Sequence, residues 1–168
     1  MKLNTLEDLL LHELRDLYSA EKQILKALPK MKKAATSQAL KDAFQEHLDV
    51  TEKQVERLDE IFTELDKSSR GPKCAAMEGL VEEASELMKE DADPMVMDAA
   101  LIAAAQRVEH YEMAGYGTAR TFARTLGHER IAEMLQETLN EEGETDEKLT
   151  ALAESEINIE AANANDDE

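Results

Sequence analysis

The sequence predicts an all-α protein, and three observations support that prediction. The commonest of its 168 residues, among them Ala, Leu, Glu and Lys, are good helix formers. Six glycines, three prolines and no tryptophan are a poor supply of turn-forming and aromatic residues for a β-protein. Finally, apolar residues recur every three or four positions along four long segments, which is the period of a helix with one buried face.

The first two predicted helices are bounded by capping and turn residues. The first begins at Thr5, whose hydroxyl can cap the helix, and fades by Ala35. The second begins after a break at residues 36–37 and ends before a turn cluster at residues 68–72. The apolar stripe of the first helix is Leu10, Leu14, Leu17, Ile24 and Leu28, and that of the second is Phe44, Leu48, Thr51, Val55, Leu58, Phe62 and Leu65.

The third and fourth predicted helices follow the same rules. The third begins at Asp93, an N-cap acid followed by a proline, and stops at Gly127, which suits a C-cap. The fourth follows after a short turn. The stripe of the third helix is Leu101, Ala105, Val108, Gly115, Ala119 and Phe122, and that of the fourth is Ile131, Leu135, Thr138, Thr145, Leu149 and Leu152.

The connections between these helices predict the topology. Short turns join helices one and two, and again three and four, so each pair is expected to form an antiparallel hairpin. About 27 residues, from Lys67 to Asp93, separate helices two and three and can cross the length of the bundle. This crossover has its own amphipathic piece around residues 75–89, which predicts a short fifth helix. Two hairpins joined by one long crossover are the ferritin-like four-helix bundle topology.

Residues 1–158 are expected to form the bundle, and residues 159–168 a disordered acidic tail.

Charge and composition limit the expected partners and cellular location of the protein. The net charge of −19 argues against nucleic acid and anionic membranes, and it favours cations. Neither a signal peptide nor a membrane span is evident, and the single Cys74 fits a reducing compartment, so we expect a cytoplasmic protein.

Acidic residues interrupt the apolar stripes at one height. Glu21, Glu112 and Glu142 stand at skipped positions of helices one, three and four, and Glu52 flanks the stripe of helix two. Burying several carboxylates together costs several kcal/mol each unless they are neutralised by cations, protons or bases. The sequence therefore predicts a layer that binds divalent iron or manganese, which take oxygen and imidazole ligands.

Further acids lie one helical turn from this layer. Asp49 precedes Glu52 by three residues, Glu109 precedes Glu112 by three, and Asp146 follows Glu142 by four. Seven carboxylates exceed the charge of two ions, so some of these companions are expected to be protonated, paired with a base such as Arg107, or hydrogen-bonded to a ligand.

One turn before Glu21 stands Tyr18, which can donate a hydrogen bond to a ligand carboxylate. An equal alternative is a core tyrosine with its hydroxyl in a surface crevice.

Three segments carry a family resemblance: residues 18–23 (YSAEKQ), 73–80 (KCAAMEGL) and 103–112 (AAAQRVEHYE). They resemble the YciE/YciF family of ferritin-like bacterial stress proteins, and the similarity extends from about Leu3 to Ala153. The resemblance implies a homodimer of five-helix subunits with a di-iron site, and leaves the reaction open.

Comparison with di-iron relatives such as rubrerythrin maps the expected ligands onto this chain. Glu21 matches the single ligand of helix one, and Glu109 with Glu112 matches the Glu-x-x-Glu pair of helix three. The Glu-x-x-His motifs of helices two and four would be residues 49–52 and 142–146, and neither contains a histidine. The four histidines, which are His12, His47, His110 and His128, are expected to be structural or at the surface.

Three functions stay open at this stage. The first is a di-metal stress protein that oxidises iron or removes peroxide, with an external electron donor because no Cys-x-x-Cys pair is present. The second is a non-enzymatic, dimeric structural or interaction protein whose metal site is empty or vestigial. The third is a small-scale iron binder that forms no storage cage.

Overall fold

The computed structural model describes residues 3–164, and they form a helical bundle. The five main helices are α1 Leu6–Ala34, α2 Gln38–Glu64, α3 Ala75–Leu87, α4 Pro94–Thr125 and α5 Glu129–Leu152. A π-helical turn, Ala153–Ile157, leads from α5 into α6, Asn158–Asn163. The all-α prediction is therefore confirmed, with the predicted fifth helix appearing as α3 in the crossover.

Side chains at the helix ends explain several of these boundaries. Thr5 and Asp8 form a capping box at the start of α1, each side chain accepting a backbone N–H from the other. Asp93 caps α4 by accepting from the two backbone amides that follow Pro94. The tight turn between α1 and α2 is held by the buried Asp98 of α4, which accepts backbone N–H bonds from Thr36 at 2.8 Å and Ser37 at 2.6 Å.

The helices run as two antiparallel hairpins, α1 with α2 and α4 with α5. The turn after α1 is bonded to Asp98 near the start of α4, while Gly115, farther along α4, lies against Leu17 in the first half of α1. Hence α1 and α4 are antiparallel, and α2 and α4 run parallel to each other. The long crossover with α3, which packs on α1 and α4, makes this parallel arrangement possible. The prediction of two antiparallel hairpins joined by a long crossover is confirmed.

The core is divided into two apolar halves with a polar layer between them. One half is built around Ile24, Leu28, Phe44, Leu101 and Leu149, and the other around Leu10, Leu14, Leu58, Ile131 and Leu135. Along every long helix, the residues between these two sets include buried polar side chains. The fold therefore places a polar layer at mid-height.

The C-terminal segment differs from the expected tail in its first part. Helix α6 covers residues 158–163 and contacts α4, so the boundary expected after residue 158 falls inside helical structure. The last four residues of the expected tail, 165–168, lie outside the described residues. Within residues 3–164, no helix is long and apolar enough to cross a membrane.

Candidate metal centre

Five ionisable side chains meet in the polar layer between the two apolar halves. Glu21 comes from α1, His47 from α2, Glu109 and Glu112 from α4, and Glu142 from α5. The four glutamates are 0% exposed and His47 is 3% exposed. All four long helices of the bundle thus contribute to one enclosed cluster.

The side chains of this cluster are close enough to share an ion. His47, Glu109, Glu112 and Glu142 each offer one ligand atom, and these four atoms all lie within 4.8 Å of one another. The Nδ1 atom of His47 is 3.4 Å from Oε1 of Glu109. The Glu21 carboxylate, on α1, interacts with the Glu112 and Glu142 carboxylates of the other hairpin.

Most polar atoms of the cluster have no hydrogen-bond partner in the protein. These atoms are both carboxylate oxygens of Glu109, Glu112 and Glu142, Oε2 of Glu21 and both ring nitrogens of His47. Over 90% of buried polar groups in folded proteins are hydrogen-bonded, because each unpaired group costs about 1–3 kcal/mol. The converging oxygen and nitrogen atoms that lack partners form a group that could hold a metal ion.

Burial dominates the electrostatics of the cluster. It raises the pKa of Glu21, Glu109 and Glu112 well above the usual value, and the neighbouring carboxylates raise these pKa values further. Burial also raises the pKa of Glu142 to about 7. For His47, burial lowers the pKa to about 4, so its imidazole is neutral at pH 7 and can act as a metal ligand.

The tyrosine that contacts the cluster is Tyr116. Its hydroxyl donates a hydrogen bond to Oε1 of Glu21, and its side chain is completely buried. Tyr18, one of whose two expected roles was to donate to a ligand carboxylate, packs edge-on against Phe62 and turns its hydroxyl toward Asp59 on the neighbouring helix. Tyr116 lies four residues after Glu112, so the one-turn spacing that defined the other candidates also applies to it.

Two predicted ligands of helix two lie outside the cluster. Asp49 and Glu52 are exposed, and Asp49 accepts a hydrogen bond at 2.7 Å from Gln45 on the helix surface. The buried face of α2 includes the expected Thr51 but is turned toward His47, whereas the expected Leu48 is only partly buried. One residue corresponds to about 100° around a helix. His47, which was expected to be a structural or surface residue, is buried and faces the carboxylates.

Asp146, the third companion acid of the predicted layer, lies beside the cluster. It is partly buried one turn beyond Glu142, where it accepts a hydrogen bond from Gln106 at 3.1 Å and lies 3.4 Å from Nε2 of the exposed His110. Its charge contributes to the raised pKa of Glu109. Asp146 is therefore a neighbour of the cluster rather than a member of it.

Comparison with known proteins places the chain in a family. Residues 5–162 match the family described as a domain of unknown function, DUF892. The protein YciF of Escherichia coli strain K12 is 48% identical over 164 residues, which are 97% of this chain and 99% of that protein.

Solved structures agree with this relationship. The crystal structure of the E. coli stress protein YciF aligns with a TM-score of 0.87 at 46% identity, covering 99% of this chain and 100% of that one. YcfI of Rhodopseudomonas palustris aligns with a TM-score of 0.86 at 50% identity, covering 89% of this chain and 95% of that one. The chain therefore belongs to the DUF892 family and is similar, over nearly its whole length, to the stress protein YciF.

Proposed function

We propose that this protein binds two divalent metal ions, iron or manganese, in the buried cluster formed by Glu21, His47, Glu109, Glu112 and Glu142. The observation that carries the proposal is the set of unpaired oxygen and nitrogen atoms that converge there. Four ionised glutamates carry four negative charges, which two divalent ions balance, and the neutral His47 adds a ligand without adding charge.

The size of the cluster suits metal ions. A bond of about 2.1 Å from an ion to each ligand places opposite ligands about 4.2 Å apart. The four ligand atoms, which lie within 4.8 Å of one another, need only small movements to close on an ion. Glu21 lies beside this group and supplies a further carboxylate for a second ion. A mixed set of carboxylates and one imidazole suits iron and manganese.

The protein prepares the cluster for such ions in three ways. The two apolar halves of the core keep bulk water away from the ligands. Tyr116 holds one oxygen of Glu21 and so orients its carboxylate, as the partners of metal ligands commonly do. His47 stays neutral and available at physiological pH. When iron is bound, it would supply redox chemistry toward ferrous iron or peroxide. The similarity to YciF, which is described as a stress protein, supports a role in the stress response.

Metal analysis of the purified protein tests this proposal. We expect about two ions of iron or manganese per chain after growth in supplemented medium and purification without chelator. His47→Leu and Glu142→Gln should each lose most of that metal. Glu52→Gln is the matched control, because it removes an exposed carboxylate of α2 and should keep the wild-type metal content.

The alternative is a non-enzymatic dimeric protein with an empty site. A wild-type protein that binds no metal at micromolar concentrations and is equally stable with and without added Mn²⁺ would favour that alternative and refute the proposal. The homodimer and the cytoplasmic location stay predictions. Sedimentation would test the homodimer by giving twice the chain mass of 18.8 kDa.

A further inference from the structure

A crevice between α2 and α5 leads from the surface toward the buried cluster. Its walls include Ala43 and Glu46 of α2 and Glu141, Glu144 and Lys148 of α5, and further apolar side chains of both helices complete them. His47 lies at its inner end, and the space within it measures about 70 Å³. His47 is the one member of the cluster with measurable exposure, at 3%, and both of its ring nitrogens are unpaired.

Two ion pairs connect α2 and α5 at this crevice. Lys148 lies 2.6 Å from Glu46 across the outer end, and both side chains are more than half exposed, at 56% and 59%. Arg57 is more deeply placed and holds Glu141 at 2.8 Å. An exposed pair such as Lys148 with Glu46 contributes little stability and breaks readily, whereas the partly buried Arg57 pair has two hydrogen bonds to the Glu141 carboxylate.

We propose that this crevice is the route by which a divalent cation reaches the cluster, and that the Lys148–Glu46 ion pair covers its outer end. The inference rests on the proposed function, because it assigns a path to the metal site. It adds three residues that are not ligands in that site: Glu46, Glu144 and Lys148.

The charges and dimensions of the crevice suit a hydrated cation. Glu46, Glu141 and Glu144 carry three negative charges, of which Arg57 and Lys148 offset two. A water molecule needs at least about 10–15 Å³ of such space, so the crevice holds several, and an ion can keep part of its hydration while it moves inward. His47 at the inner end is the first ligand that such an ion would meet.

A second cavity that reaches the cluster does not suit a cation. It measures about 20 Å³ and reaches His47 and Glu109, and all of its other lining side chains are apolar. A cation crossing this space would lose its hydration along apolar walls before it reached a ligand. The crevice between α2 and α5 is therefore the favoured path for the ion.

The test measures the rate at which metal-free, full-length protein binds Co²⁺, followed by stopped-flow absorption at low ionic strength. Lys148→Gln should raise the association rate about fivefold, and Glu144→Gln should lower it about fivefold. Each variant removes the repulsion or attraction between one unit charge and a divalent ion about 8 Å away in water. Both effects should shrink in 0.5 M salt. Ala43→Phe should slow binding by obstructing the crevice, and all three variants should reach the wild-type stoichiometry.

Matched controls come from the same two helices. Glu147→Gln removes an exposed acid of α5 and Lys53→Gln an exposed base of α2, both outside the crevice lining, and each should bind at the wild-type rate. Unchanged rates in Lys148→Gln, Glu144→Gln and Ala43→Phe, with full Co²⁺ binding, would overturn the proposed route alone. A wild-type protein that binds no Co²⁺ would overturn the metal site and, with it, the route.

Discussion

Replacing Glu142 by Gln should stabilise the metal-free protein at high pH, although it removes a proposed ligand. Glu142 is 0% exposed, and burial raises its pKa from 4.5 to about 7. One pKa unit corresponds to about 1.4 kcal/mol, so an ionised Glu142 at pH 8 costs the folded state about 3 kcal/mol relative to the unfolded chain. Gln has nearly the same shape and carries no charge, so the variant should recover that free energy.

The sign of the pH dependence follows from the direction of the shift. The pKa of Glu142 is higher in the folded state than in the unfolded state, so the folded state binds more protons between pH 4.5 and about 7. Stability is therefore lost as the pH rises through this window. The gain from Glu142→Gln should be about 3 kcal/mol at pH 8 and about 1 kcal/mol at pH 5. His47 has the opposite shift, with its pKa lowered to about 4, but it is present in both proteins and cancels in the comparison.

Urea unfolding followed by circular dichroism in the presence of a chelator measures this gain. For a domain of this size, about 3 kcal/mol corresponds to a rise in Tm of roughly 6–12 °C at pH 8. Glu52→Gln, which alters an exposed acid of α2, should change stability by less than about 0.5 kcal/mol at either pH. Equal effects of Glu142→Gln at pH 5 and pH 8, or a loss of stability at both, would refute the burial of this carboxylate among like charges.

Three further changes test the surroundings of the cluster by the same unfolding assay. Tyr116→Phe removes the hydroxyl that donates to Glu21 and should destabilise the protein by about 1–3 kcal/mol, whereas an unchanged stability would contradict that hydrogen bond. Asp98→Ala leaves two backbone N–H groups of the α1–α2 turn without their carboxylate acceptor and should cost about 2–3 kcal/mol; a cost under 0.5 kcal/mol would show that the turn does not need it. Gly115→Ala would place a Cβ 2.7 Å from Cδ2 of the buried Leu17 and should cost about 1–3 kcal/mol, and a stabilised variant would contradict the close packing of α1 on α4.

The sequence predicted the bundle well because helical periodicity, caps and connection lengths all indicate the same topology. The cap at Thr5 is present, and Asp93 followed by Pro94 begins α4 as expected. The lengths of the connections distinguished the hairpins from the crossover, because a short turn cannot reach the far end of a helix about 40 Å long. Caps and periodicity are local signals, and the connection lengths are counted directly, so one sequence is enough to show them.

The candidate site was predicted less completely because the α2 side chain that faces it depends on how that helix is turned about its axis. Leu48 and His47 are adjacent, and hydrophobicity alone favoured Leu48 for the core. In the structure the buried face of α2 includes His47, Thr51 and Gln54, and these polar residues follow one another by four and three positions. A polar stripe with that spacing on a core-facing helix was the available signal.

Burial of Asp98 could not be predicted for a different reason. Its partners are the backbone N–H groups of the α1–α2 turn, more than 60 residues earlier in the chain. No pattern within its own helix distinguishes it from an exposed acid. Long-range backbone partners of this kind appear only when the tertiary structure is known.

Crystals grown with Mn²⁺ and measured for anomalous scattering at the manganese edge would test the metal site most directly. We predict two peaks per chain within bonding distance of the cluster, with ligands drawn from Glu21, His47, Glu109, Glu112 and Glu142 and none from Asp49 or Glu52. The peaks should vanish in His47→Leu or weaken strongly. Peaks found only at exposed acids, or none at all in crystals soaked at millimolar Mn²⁺, would contradict the account.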